Sequence, residues 1–303
     1  MKTKLLLPFL FICVLTYAQF PTNGLIAYHD FSNGSLLDQA NGNNFTQTGS
    51  NLTTLNDRFA TANNAVQLNG DYLTKSDVNF GGTTHNFTIT WAFWVKTTTD
   101  NTDVKTIIDD STRNTVAGYD SDDVGYYIYL RNGLIGLSSR YYEGNFVVPT
   151  QPTGYGHAHP NYIADGNWHH VVVTYNPTLI SGVQRINSTI YIDGVANSKS
   201  SIETPIVTSP NTNGNVTVAN SRSNHLTSIN VYQDELDDIF AYNRVLTQAE
   251  VAQLGAINGY CFTPTASSIS SSSITNATAD ISISNSGTFD ICLLYTSPSP
   301  RDA

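Results

Sequence analysis

The amino-acid sequence predicts an all-β sandwich, and three observations carry that expectation. Only 13% of the 303 residues are charged, 17 are tyrosine, and Thr, Ser, Asn and Gly fill much of the rest. Asn, Ser and Gly weaken a helical backbone, whereas Thr, Tyr, Val and Ile suit a pleated one. Strand-like runs of period two recur between residues 24 and 254 with turn signals between them. The one helical signature comes at the end of this region, as in a sandwich and unlike an alternating α/β chain.

The elements follow in order. Phe87 to Val95 alternates, placing Phe87, Ile89, Trp91, Phe93 and Val95 on one face and Thr88, Thr90, Ala92 and Trp94 on the other. Tyr126 to Leu130 passes through Asn132-Gly133 into Leu134 to Leu137, a hairpin pattern. Val171 to Tyr175 follows His169 and His170. Ser188 to Ile192 then enters Asp193-Gly194 before Val195, a second hairpin, because a tight turn demands the positive φ that Gly takes readily. Thr247 and Glu250 form a capping box that opens a helix to Leu254, and Gly255 stops it.

The chain divides into four parts. Residues 1–18 read as a signal peptide: Lys2 and Lys4, an apolar run from Leu5 to Leu15, then Thr16, Tyr17 and Ala18 before Gln19. That run falls short of the roughly 20 residues that span a bilayer, so no membrane span is expected and the mature protein is expected to be secreted. Cys13 leaves with it. Residues 19–256 form the β domain, and 257–291 a Ser/Thr-rich linker with an incomplete second β domain. Residues 292–303 lack any strand or helix pattern and read as a non-native tail, which leaves Cys261 as the mature thiol. With no CxxC pair, a structural zinc site is not indicated.

The charge balance excludes one function class. Lys and Arg number 14 against 24 Asp and Glu, a net −10. That is the wrong sign for holding phosphate backbones by counterion release, so no nucleic-acid partner is expected.

Several segments in order resemble the concanavalin A-like, laminin-G-like jelly-roll family of secreted bacterial proteins: Gly24 to Tyr28 with Phe31; Asp38 with Asn41 to Asn44; Asp57-Arg58-Phe59; Ala65 to Gly70; Asp165 to Tyr175; Tyr191 to Gly194; and Asp237 to Leu246 with Thr247 to Glu250. Leu68 stands where an aromatic is usual. Residues 273–283 similarly resemble the opening of a fibronectin type III repeat. The main resemblance implies a two-sheet antiparallel jelly-roll sandwich with a short C-terminal helix. This fold carries lectins, adhesion modules and glycosidases alike, so function has to be argued from sites.

The family implies a structural calcium and a carbohydrate surface. Calcium takes several hard oxygens at a sharp turn. Asp38, Asn41 and Asn43 supply such a turn, completed by Asp237 or Asp238; the alternative is Asx-turn chemistry without a metal. Sugars stack on aromatic faces while short polar groups read their hydroxyls. The candidates are Trp94, Tyr127, Tyr129, Tyr141 and Tyr142, with Tyr155, His157, His159 and Tyr162 from the long segment between Glu143 and Ile163. Trp91, Phe93 and Trp168 read as core. His157 and His159 share a face if they lie on a strand, but a Pro-bearing loop follows and no acid or Cys sits nearby in sequence, while His169 and His170 belong to the family's fold landmark, so a transition-metal site is not expected.

Glu235-Leu236-Asp237 matches the first two members of a glycosidase motif, but the proton donor's place holds Ile239 or Phe240. The expected function is therefore a non-catalytic carbohydrate-binding or adhesion module of a larger extracellular protein. Its partner is an extracellular polysaccharide or cell-surface glycan. The alternative is a glycoside hydrolase or an accessory domain for polysaccharide degradation.

Overall fold

The structure, a computed structural model, describes residues 20–76, 88–113, 123–140, 156–180, 183–203, 215–220, 230–256, 270–275 and 278–282. Phe20–Ala256 is one compact unit. In chain order its strands are β1 (Leu25–His29), β2 (Thr46–Thr48), β3 (Thr53–Leu55), β4 (Ala65–Gln67), β5 (Tyr72–Ser76), β6 (Ile89–Lys96), β7 (Lys105–Arg113) and β8 (Asp123–Arg131). They continue with β9 (Leu134–Arg140), β10 (Gly156–Ala158), β11 (Trp168–Ile180), β12 (Val183–Ile192), β13 (Val195–Glu203), β14 (Asn215–Val218), β15 (Asn230–Val231) and β16 (Glu235–Tyr242). The helix α1 (Gln248–Gly255) follows. In the second unit, β17 (Ser270–Thr275) and β18 (Thr278–Ser282) pair antiparallel. The signal-peptide and tail segments lie outside the described residues.

Two sheets form the sandwich. The first runs β13-β12-β11-β6-β16-β4-β3, with β1 also on β16; the second runs β10-β9-β8-β7-β14-β5-β2, with β15 parallel to β7. The other pairings are antiparallel, as in β11 on β6 and β7 on β8. Both hairpins form: Arg131 pairs Leu134 and Ile192 pairs Val195 across two-residue loops. Asn132, Gly133, Asp193 and Gly194 all take positive φ, which gives these turns the twist that matches their strands.

Alternation sets the core. Ile89, Trp91, Phe93 and Val95 from β6 and Val171, Val173 and Tyr175 from β11 are buried with Leu73, Ile108, Tyr126, Ile128, Leu130 and Leu137 of the second sheet. Each such side chain contributes roughly 1.5–3 kcal/mol on burial. The Trp91 indole donates across the sandwich to the Tyr126 hydroxyl at 2.6 Å, so its buried N–H is satisfied, and Tyr126 stacks on Tyr175 at 4.6 Å.

The helix begins as its sequence indicates, with the reciprocal Thr247–Glu250 capping box. Glu250 also takes a bidentate pair from Arg244, at 2.9 and 2.6 Å. Gly255 differs from expectation. It is the last helical residue, and a Cβ there would lie 3.0 Å from His170 Nδ1, so close approach to β11 explains the glycine.

Histidines close one seam between the sheets. His157 in β10 stands opposite Leu137 of β9, on the inward face. Its Nδ1 meets Ser188 Oγ at 3.1 Å and its Nε2 meets the Asn197 carbonyl at 3.3 Å. His159 Nε2 meets the Val195 carbonyl at 3.0 Å, its Nδ1 accepts from Asn161 N–H at 3.1 Å, and Asn197 Nδ2 donates to the Ala158 carbonyl at 3.0 Å. A carbonyl only accepts, so both rings carry a proton on Nε2, and the N–H of Asn161 leaves His159 Nδ1 bare and that ring neutral.

Burial pushes His157 down from 6.5 to about 4 and lowers His159 as well. Between those values the unfolded imidazole binds a proton that the folded one refuses, so stability is complete above about pH 6.5 and falls as pH drops toward 4. His169 acts oppositely: Asp193 and Asp165 raise it against burial, adding stability at low pH that is lost as pH rises past its folded value. Urea midpoints at pH 7.5 and 4.5 are expected to differ, with His157→Gln flattening the difference by on the order of 2–3 kcal/mol.

Candidate functional site

The acids expected to hold calcium form two clusters, each with a cation of the chain's own. Asp38 Oδ1 accepts the N–H groups of Tyr28 and Ala40, both at 2.9 Å, and Oδ2 accepts Lys75 Nζ at 2.9 Å; both of the paired side chains are 0% exposed. Burial pushes the Asp38 carboxyl up, but the Tyr28 N–H, the Lys75 ammonium and the Ala40 N–H outweigh it and hold it below the usual range. Asn41 Nδ2 donates to the Ile26 carbonyl at 2.9 Å, and Asn43 is half-buried in the same turn.

Asp237 and Asp238 meet Arg58. Its Nη1 lies 2.8 Å from Asp237 Oδ2 and also pairs with Asp238 Oδ2, while Asp238 Oδ1 accepts from the Tyr28 hydroxyl at 3.2 Å. Consecutive strand residues normally face opposite sides. Here the β16–β6 register shifts between Asp237 and Phe240, and Asp238 takes φ 44°, so a bulge turns both carboxylates to one guanidinium. The Arg58 guanidinium carbon lies 4.3 Å from the Phe59 ring centre and 4.6 Å from that of Trp94. Asp57 shapes the turn that delivers it, with Oδ1 accepting from Phe59 and Thr61 N–H, both at 2.8 Å.

This donor set does not fit a calcium ion. Calcium needs six to eight oxygens around one centre, whereas these carboxylates are divided between two buried cations. Among the described residues no group of three or more His, Cys, Asp or Glu is arranged to hold a metal.

The aromatic candidates are dispersed. Trp94 lies on the outer face of the first sheet beneath Arg58, 5.0 Å from the His170 ring. Tyr127 and Tyr129 point from the outer face of the second sheet, 5.6 Å apart, but are only 1% and 7% exposed. Burial raises the Tyr129 phenol to about 12. His157 serves the inter-sheet seam. Tyr162 is exposed and donates to Asp100 Oδ2 at 3.1 Å. Tyr141, Tyr142 and Tyr155 lie outside the described residues. Glu235 is paired with Lys96 Nζ at 2.9 Å.

Another surface is already formed. On β11, Thr174 and Asn176 alternate with the core residues Val173 and Tyr175, and so face outward. Thr174 pairs with Thr189 and Thr189 with Ser198; Asn176 pairs with Asn187 and Asn187 with Ser200. These two cross-strand rows, with Val245 beside them, line a groove of about 230 Å³. Its side chains are pre-positioned: Thr189 and Ser198 share a 2.8 Å hydrogen bond, Asn187 Nδ2 donates to Thr178 Oγ1 at 3.3 Å, and Thr88 Oγ1 donates to Asn176 Oδ1 at 2.8 Å. The signal was present in the alternating Thr, Asn and Ser of these strands, but a search directed at aromatics passes over it.

The family model of the concanavalin A-like lectin/glucanases superfamily matches residues 67–252. The chain belongs to this superfamily. Among solved structures it is similar to the binding domain of botulinum neurotoxin serotype C1, with a TM-score of 0.52 and 15% identity, over 79% of this chain and 53% of that one. It is also similar to the binding domain of Paraclostridial Mosquitocidal Protein 1, with a TM-score of 0.51 and 17% identity, over 77% and 52%. The chain therefore spans about half the length of these structures, and at such identities they share its fold. No curated protein matches its sequence. Within this superfamily member, the Asp57–Phe59 and Asp237–Asp238 landmarks both serve the Arg58 cluster.

Two outcomes follow from the buried pairs. Arg58→Met strands two buried carboxylates and is expected to cost about 3–5 kcal/mol in chemical denaturation. Chelator is expected to leave the thermal midpoint unchanged, since neither acid cluster offers a calcium ion an unshared seat; a chelator-sensitive midpoint would restore the metal.

Proposed function

We propose that the jelly-roll unit is a non-catalytic carbohydrate-binding module that receives an uncharged, hydroxyl-rich glycan along the groove across β11, β12 and β13. The observation that carries this reading is the row Asn176–Asn187–Ser200 beside Thr189 and Ser198, with Thr174, 2% exposed and bonded to the Thr189 backbone, as the groove's floor. Hydroxyls and amides both donate and accept, as sugar hydroxyls do, and short side chains lose little rotamer freedom when a ligand orders them. Val245, 40% exposed, supplies an apolar contact for ring C–H groups.

Membership of a superfamily described by its lectins and glucanases supports a glycan ligand. The pairing of Glu235 with Lys96, and of Asp237 with Arg58, supports a binding role over a hydrolytic one. The leader-like first 18 residues support export, with an extracellular polysaccharide or cell-surface glycan as partner and a larger extracellular protein as the setting.

A glycan array and polysaccharide pull-down on the full chain test this. Asn176→Ala and Asn187→Ala are each expected to weaken binding about two- to tenfold, the value of one or two hydrogen bonds. Ser198→Trp is expected to fill the groove and abolish binding, while Tyr162→Ala leaves it unchanged. Undiminished binding in all three groove variants would refute this placement, and silence across arrays and polysaccharides would refute the reading.

A further inference from the structure

Lys75 is a charged side chain with 0% exposure, and what surrounds it is organised for more than an ion pair. It stands on β5 opposite Val216, a core residue, and so points between the sheets. Its Nζ lies 2.9 Å from Asp38 Oδ2 and 3.0 Å from His29 Nε2. The His29 ring stacks on Phe45 at 3.9 Å, and Lys75 Nζ is 5.6 Å from the same Phe45 ring centre. The second carboxylate oxygen, Asp38 Oδ1, accepts two backbone N–H groups, from Tyr28 and Ala40, both at 2.9 Å. Amine, carboxyl, imidazole and a pair of N–H donors thus meet in a site without exposed surface.

We propose that Lys75 and Asp38 condense into an intramolecular amide that cross-links β5 to the turn after β1. The atoms balance without a co-reactant. Lys75 passes a proton from its ammonium toward Asp38 Oδ2, with His29 Nε2 beside Nζ as the relay. The freed amine lone pair attacks Asp38 Cγ, forming the N–C bond. Charge developing on Oδ1 falls on the two backbone N–H groups, the arrangement that stabilises a tetrahedral intermediate in acyl transfer. A second proton moves from nitrogen to Oδ2, the C–Oδ2 bond breaks and water leaves. Ammonium and carboxylate become amide and water, and His29 is regenerated.

The driving force is the burial itself. A buried ion pair bears a desolvation penalty that its own attraction only partly offsets, and condensation removes both charges while holding the reactants at high effective concentration. Burial lowers both Lys75 and His29, the latter to about 3, which draws the amine toward its neutral form and keeps Nε2 an acceptor, while the proton that Asp38 takes is won against the hydrogen bonds that hold its carboxyl low. This inference is independent of the glycan reading.

Intact mass of the full chain, measured denatured, tests it. The expected species is lighter than the sequence by one water, and protease digestion yields a branched peptide joining Asp38 to Lys75. The loss is absent from Lys75→Arg and Asp38→Ala, and both variants melt below the parent. An unmodified mass in the parent overturns the proposal whether or not the variants fold. A water loss that persists in Lys75→Arg, as a succinimide at Asp193-Gly194 would give, overturns it as well. Cyclisation of an N-terminal glutamine removes ammonia and is resolved by mass.

Discussion

A charge taken out of water must meet its opposite, and that constraint organises the outer face of the first sheet. Arg58, 5% exposed, answers two carboxylates on β16 that are 0% and 1% exposed. β16 in turn pairs with β1, β4 and β6, so the strand carrying the two acids is also the one on which the first sheet is assembled. The bulge at Asp238 is the geometric concession that lets one guanidinium serve both acids. Trp94 and Phe59 flank the guanidinium with ring faces, which suits a weakly hydrated planar cation better than water loss alone would. The turn at Asp57, the end of β6 and the first half of β16 are thereby tied together.

The same constraint explains what was legible in the sequence and what was not. Period-two alternation in Phe87 to Val95 is local, and it correctly separated Ile89, Trp91, Phe93 and Val95 from Trp94. The Asp193-Gly194 turn and the Thr247–Glu250 box are also local, and both form. The destinations of Asp38, Asp237 and Asp238 were not legible. Their partners, Lys75 and Arg58, are distant in sequence, and a carboxylate awaiting calcium looks the same on paper as one already paired. Trp94 was read as outward, which it is, but an arginine arriving from another turn covers it. Tyr127 and Tyr129 likewise face away from the core yet are almost wholly buried.

The candidate surface itself is made of residues that attract little notice singly. Thr, Asn and Ser recur throughout this chain, and only registry places Thr174, Thr189 and Ser198 side by side. A strand pattern tells which residues share a face within one segment. It does not tell which three segments are neighbours, and recognition by short polar groups depends on that. Large aromatics announce themselves in sequence; a row of hydroxyls exists only once the sheet does.

The histidine seam has a consequence beyond holding two sheets together. β13 is the end strand of the first sheet, and such a strand presents backbone carbonyls and N–H groups that template the addition of another chain. Val195 and Asn197 face Ile192 and Ile190 next to a two-residue turn, so their carbonyls already serve the ladder with β12, and His159 and His157 add a second contact to each. The imidazoles thereby fasten the outer strand of one sheet to β10 of the other, and an end strand held from the opposite layer is less free to peel away and recruit another chain.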